Sequence, residues 1–134
     1  ELHSAALEGK IFQHGIRRLS RKDPYLAIST WQLRKNGFKI NSTEKEQLDR
    51  ALALKLAYEK HDQAYYYLSL INGGDEQVRT WRVRTALQTG DWSAVLEALG
   101  KLSDSEKSEI TWRYWKARAL AENDMPSYEV FKLP

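Results

Sequence analysis

Ala86-Leu87-Gln88-Thr89-Gly90-Asp91 decides the fold, because Ala57-Tyr58-Glu59-Lys60-His61-Asp62 and Ala119-Leu120-Ala121-Glu122-Asn123-Asp124 repeat its pattern. Each stretch has a small residue, a large apolar one, two variable positions, a turn former and Asp. Leu19-Ser20-Arg21-Lys22-Asp23 is a weaker fourth copy, and the four Asp residues stand 39, 29 and 33 positions apart. The small residue lets a neighbouring helix approach, and the large one fills the seam between helices. Gly, Asn or His accepts the left-handed conformation that closes a helix, and Asp caps the next one. Helix–turn–helix units recurring every 30 to 40 residues or so are the mark of an α-solenoid. The expected fold is all-α: a right-handed superhelix of antiparallel helix pairs, tetratricopeptide-like, with about seven or eight helices.

The rest of the chain supports helices throughout. With 134 residues it is read as one α-superhelical domain, 42% hydrophobic and 29% charged, with seven Gly and three Pro. No Val/Ile/Thr-rich run alternates with period two, so sheet has no support. Helix one is expected from Leu2 to Arg21, with Ala6, Leu7, Ile11, Phe12, Ile16 and Leu19 as its apolar stripe. Asp23-Pro24 caps and opens helix two, which carries Leu26, Ala27, Trp31 and Leu33 to a stop at Asn36-Gly37. Helix three opens at Ser42 or Thr43, with Glu46 in capping-box position, and helix four spans Gln63–Ile71.

Helix five follows Asp75 and ends at Thr89-Gly90. Helix six places Trp92, Val95, Leu96, Leu99 and Leu102 on one face. Ser103 with Glu106 forms a capping box that opens helix seven, expected to run unbroken through Leu120. Residues 125–134 are expected to be an irregular tail or truncated helix. A chain that opens within a helix, without Met, is expected to be a piece of a longer protein.

Charge is uneven. Lys10, Arg17, Arg18, Arg21, Lys22, Arg34, Lys35 and Lys39 face a single acid, Asp23, across residues 10–39. Such a segment attracts a polyanion or an acidic neighbouring domain, or serves as a solvated helix face. No apolar run reaches the roughly 18 residues of a membrane span. There is no Cys, and His3, His14 and His61 have no further ligand at zinc-site spacing, so neither metal nor cofactor is expected.

The carboxylates are scattered, with none in an apolar stretch that would raise its pKa for acid catalysis. Phosphate loops, G-x-S-x-G elbows and H-E-x-x-H motifs are missing, so no catalytic residue is assigned. Five Trp and seven Tyr are the unusual feature. Thr80-Trp81-Arg82 and Thr111-Trp112-Arg113 recur near the starts of two helices, and Tyr65-Tyr66-Tyr67 lies in helix four. Such rings either fill helix seams or stack on sugars. Nucleic acid is not expected as a partner, because the basic residues do not interleave with the aromatics.

Trp112-Arg113-Tyr114-Trp115-Lys116-Ala117-Arg118-Ala119-Leu120 resembles a stretch in the helical superhelix of soluble lytic murein transglycosylases, as does Arg82-Val83-Arg84-Thr85-Ala86-Leu87-Gln88-Thr89-Gly90-Asp91-Trp92. The Arg18-Leu19-Ser20-Arg21-Lys22-Asp23-Pro24 junction is similar to an earlier turn of the same superhelix. The resemblance implies a periplasmic parent enzyme that cleaves peptidoglycan between N-acetylmuramic acid and N-acetylglucosamine, leaving 1,6-anhydromuramoyl ends. In that family a single Glu of a C-terminal lysozyme-like domain does the chemistry, in a Glu-Ser-x-Phe-like motif followed by a Gly-Leu-Met-Gln-like run. Neither motif occurs here, and Asp124-Met125-Pro126 departs from the family pattern. The resemblance therefore implies a non-catalytic scaffold whose partners are glycan strands and the catalytic domain of its own parent chain. Arg82, Arg84, Trp112 and Arg113 are the candidate contacts with glycan or with that domain. The alternative reading is a tetratricopeptide-like protein-interaction module unrelated to peptidoglycan.

Overall fold

A computed structural model describes residues 2–124; the segment 125–134, with the tail expected there, lies outside the described residues. Among the described residues the chain is all-α, with eight helices and no strand. It divides into two compact units, Glu1–Asn72 and Gly73–Pro134, at the Asn72-Gly73-Gly74 stop.

The first unit holds α1 (Leu2–Lys22), α2 (Pro24–Arg34), α3 (Ser42–Tyr58) and α4 (Ala64–Ser69), each packed on the one before. Asp23 accepts a hydrogen bond from the Leu26 N–H and Pro24 opens α2, as the sequence implies. A short 3₁₀ turn, Lys35–Gly37, ends it. The cap of α3 is not Ser42 or Thr43 but Asn41, whose Oδ1 accepts from the Glu44 N–H at 2.8 Å. Asn41 Nδ2 donates back to Glu44 Oε1, and Gln13 of α1 donates to Glu44 Oε2. The Asn41 amide thus accepts from the backbone and donates to the carboxylate at once.

The core of this unit is built from Ile16, Ile28, Trp31, Leu48, Leu52, Leu56 and Leu68. Trp31, fully buried, stacks on Phe12, which stacks on Phe38 with centroids 4.2 Å apart. Its indole N–H donates to Asp49 Oδ1 at 2.6 Å, and the Lys35 ammonium holds both oxygens of the same carboxylate. A buried indole thus has its polar end satisfied and the carboxylate its charge balanced.

The stripe read for α1 is corrected in part. Ile16 is buried and Phe12 and Leu19 are half-buried, but Ala6, Leu7 and Ile11 are exposed, the last two at 59% and 60%. Gly9 is buried instead, because the backbone of the loop between α2 and α3 lies against it: a Cβ there would sit 2.5 Å from the Lys39 carbonyl oxygen. Leu26 and Leu33 of α2 are likewise exposed.

The second unit holds α5 (Glu76–Thr89), α6 (Trp92–Gly100), α7 (Asp104–Lys107) and α8 (Ile110–Asp124). Helix α5 packs on α6, and α6 on α8. Asp75 caps α5, Asp91 caps α6 and Ser103–Glu106 form the expected box. The single helix expected from Ser103 to Leu120 is two. Ser108 and Glu109 close a turn with i→i+3 bonds, and the chain restarts when the Arg113 N–H donates to the Glu109 carbonyl.

The repeat copies obey their shared pattern unequally. The copy at 86–91 follows it in full, with Gly90 left-handed and Asp91 capping. At 57–62 the left-handed residue is Lys60 rather than His61. Its N–H donates to the Ala57 carbonyl, and that of His61 to the Leu56 carbonyl, the paired closure of a Schellman turn. Asp62 caps nothing there, since Gln63 stands at the N-cap of α4. The copy at 119–124 is helical throughout.

Candidate functional site

The side chains of α6, α7 and α8 enclose an open groove of about 650 Å³ within the second unit. Leu99, Leu102 and Trp112 are its buried members, with Leu96, Ala117 and Leu120 extending the apolar surface. Exposed Lys107, Arg113 and Lys116 stand at its edge with one acid, Asp104. Local chemistry explains the layout. Trp112, Lys116 and Leu120 lie at i, i+4 and i+8 on α8, one row along one face. Leu96 and Leu99 end the apolar stripe of α6, and Leu102 continues it in the turn that follows.

The short α7 is held in place by an ion pair. Arg79 of α5 donates from Nε and Nη2 to the two oxygens of Glu106, both at 2.9 Å, and from Nη1 to the Gly74 carbonyl. Glu106 also accepts from the Ser103 N–H at 2.9 Å. The Arg79 hydrogen bonds, followed by that from Ser103, hold its carboxyl well below the usual range, at about 2. Glu106 is therefore an ionised structural anchor, and its pKa is the reverse of what a general acid requires.

The structure separates the four candidate contacts. Trp112 and Arg113 both line the groove. Arg82 is only 2% exposed, inside the second unit among Val78, Val83, Thr85 and Ala86. Arg84 is exposed on α5, its guanidinium 5.0 Å from the centroid of the Trp81 ring. The two Trp-Arg pairs, read as equivalent, are not: α5 buries the Arg and leaves Trp81 half-exposed, whereas α8 buries Trp112 and exposes Arg113. The inward face of each helix is set by its partner, so the same triplet meets the core one residue out of phase.

Most other rings act as seams. Trp92 of α6 stacks on Trp115 of α8 at 6.4 Å, and Arg118 lies over the Trp92 ring. Tyr67 meets Tyr25 and Tyr66 edge-on, and Tyr25 stacks on His61 at 4.7 Å, tying α2 to the α3–α4 turn. Among the described residues there is no cluster of three or more His, Cys, Asp or Glu able to hold a metal ion, and no helix is long and apolar enough to cross a membrane. No protein-family model matches the chain, and no curated protein matches it.

Proposed function

We propose that this chain is a non-catalytic helical scaffold of a periplasmic soluble lytic murein transglycosylase. As part of an α-superhelix it would hold peptidoglycan strands and dock the lysozyme-like catalytic domain of its parent. The observation that carries this reading is the α6–α8 groove, where Leu96, Ala117 and Leu120 expose an apolar surface over the buried Trp112, beside Arg113, Lys116 and Lys107. A sugar ring lays its C–H face on such a surface, while the lactyl and stem-peptide carboxylates of peptidoglycan suit the cations beside it. The resemblance of residues 112–120 to the superhelix of that family supports the same reading. Arg113 and Trp112 stay in the proposed contact; Arg84 is an outlying candidate on α5, and the buried Arg82 is not part of the groove.

Co-sedimentation with purified sacculi tests it. The chain should pellet with sacculi and release no anhydro-muropeptides, and Arg113→Ala with Lys116→Ala should leave it in the supernatant while its helical circular dichroism is unchanged. Unchanged pelleting by that variant would refute the groove; release of anhydro-muropeptides would refute the non-catalytic assignment.

One observation favours a second reading, a protein-interaction module. Leu96, Leu99, Leu102, Ala117 and Leu120 outnumber the single indole, and an aliphatic groove with a basic edge also suits an acidic amphipathic helix. Saturable capture of one such peptide, with no retention on sacculi, would select it.

A further inference from the structure

The cations of α1 form a separate surface. At about 100° per residue, Lys10, Arg17, Arg18, Arg21 and Lys22, together with His14, fall within an arc of roughly 140° on a stretch about 18 Å long. All six are exposed. The opposite arc carries the buried Gly9, Ile16 and Ser20, so the basic arc is the outward side of the helix. Lys35, Lys55, Arg79 and Arg118 are paired with Asp49, Glu59, Glu106 and Glu122. Among the described residues none of these six makes an ion pair. Glu44 shares a shallow hollow with Lys10, His14 and Arg17 and is already taken up by Gln13 and Asn41, while Glu8 and Asp23 flank the stretch in sequence and Asp23 caps α2. A second hollow, of about 450 Å³, lies over Gly15 and is bordered by Arg18, Arg21 and Lys22.

Two features choose among anionic partners. The exposed Leu7 and Ile11 lie on the same arc, flanking Lys10 at the N-terminal end of the basic stretch. An apolar pair beside a row of cations suits a bilayer surface, where acyl chains receive the one and phosphate headgroups the other. A polyanion in water has no use for the pair. Single-stranded nucleic acid would want exposed rings, and the one aromatic of α1, Phe12, is engaged with Trp31 and Phe38.

We propose that the outward face of α1 is a docking surface for an anionic phospholipid bilayer, with Lys10, Arg17, Arg18, Arg21 and Lys22 on the headgroup phosphates and Leu7 and Ile11 at the acyl boundary. The surface belongs to the first unit and needs neither the groove nor the murein assignment.

Sedimentation with phosphatidylglycerol–phosphatidylcholine vesicles, against pure phosphatidylcholine, tests it. The chain should bind only the anionic vesicles at low salt and leave them near 0.5 M NaCl. Arg17→Gln, Arg18→Gln and Arg21→Gln together should lower partitioning about a hundredfold, at about fivefold per charge. Leu7→Ser with Ile11→Ser should lower it several-fold. Lys45→Gln, Lys55→Gln and Lys101→Gln together remove the same charge elsewhere and should change it little. All of these side chains are on helix exteriors or turns, and circular dichroism confirms that each variant is folded. Equal binding to neutral vesicles would overturn the proposal, as would equal loss in the charge-matched control. Full vesicle affinity in the Leu7/Ile11 variant, with tighter binding to heparin, would also overturn it and assign the face to a soluble polyanion.

Discussion

Replacing Glu106 with Gln should remove a defined part of the acid sensitivity of the second unit. In the folded chain the carboxyl titrates at about 2 instead of 4.5, because Arg79 donates two hydrogen bonds to it and Ser103 a third. A depressed carboxyl pKa means that the unfolded chain binds the extra proton between those two values. Its contribution is therefore complete above pH 4.5 and is lost as pH falls through about 2. The gap of 4.5 − 2 sets an upper limit, and solvent still reaches the partly exposed Arg79, so screening leaves about 1 to 2 kcal/mol. Four of the five Trp residues, Trp81, Trp92, Trp112 and Trp115, lie in the second unit, so indole fluorescence during urea unfolding reports mainly on it. Measured from pH 7 to pH 2, the native chain should lose about 1 to 2 kcal/mol more than Glu106→Gln does. Arg79→Met, which leaves the carboxylate only Ser103, should shift the loss to higher pH. A double-mutant cycle at pH 7 should return a coupling of similar size, since the two side chains touch. If Glu106→Gln fell with pH as steeply as the native chain, the ion pair would not be the anchor of α7.

Other substitutions test the fold at points where sign matters. Gly9→Ala should destabilise by about 1 to 3 kcal/mol, because its Cβ collides with the Lys39 carbonyl, whereas Gly15→Ala, with open space around it, should stabilise by about 0.5 kcal/mol; urea midpoints separate the two. Lys60→Gly should raise stability by about 0.5 to 1 kcal/mol by relieving a left-handed Lys, and Gly90→Ala should lower it by about 1 kcal/mol. Asp49→Ala should cost about 2 kcal/mol, seen as a lower melting temperature of the first unit, since it strips the buried Trp31 N–H of its acceptor.

Legibility in the sequence followed how local each feature is. The caps at Asp23, Asp75, Asp91 and Ser103, the Pro24 start and the Gly90 stop involve residues within four positions of one another, and all are in the structure. What composition and periodicity could not supply was the direction each helix faces. Leu7, Ile11 and Leu33 satisfy helical spacing as well as Ile16 and Ile28 do, yet lie outside, because spacing defines a stripe without saying which stripe a neighbour covers. The break after Lys107 had no Pro or Gly to announce it. It accompanies a contact between residues 79 and 106, beyond the reach of any local window.

The same limit explains the candidate site. Thr-Trp-Arg occurs twice, and identical triplets invite identical roles. Each helix turns the triplet by its own phase, so Arg82 enters the core while Arg113 faces the groove. The groove residues that the reading missed, Lys116 and Leu120, were available as the i+4 and i+8 partners of Trp112. Carrying the row forward from one trusted residue would have found them; matching motifs across helices could not. It follows that the Arg of each triplet should respond oppositely to truncation. Arg82→Ala should lower the melting temperature of the second unit, because it removes a long side chain packed in the interior. Arg113→Ala should leave the melting temperature unchanged and alter only what binds the groove. Equal melting temperatures for the two variants would mean that the triplets are equivalent after all, and that the phase argument fails.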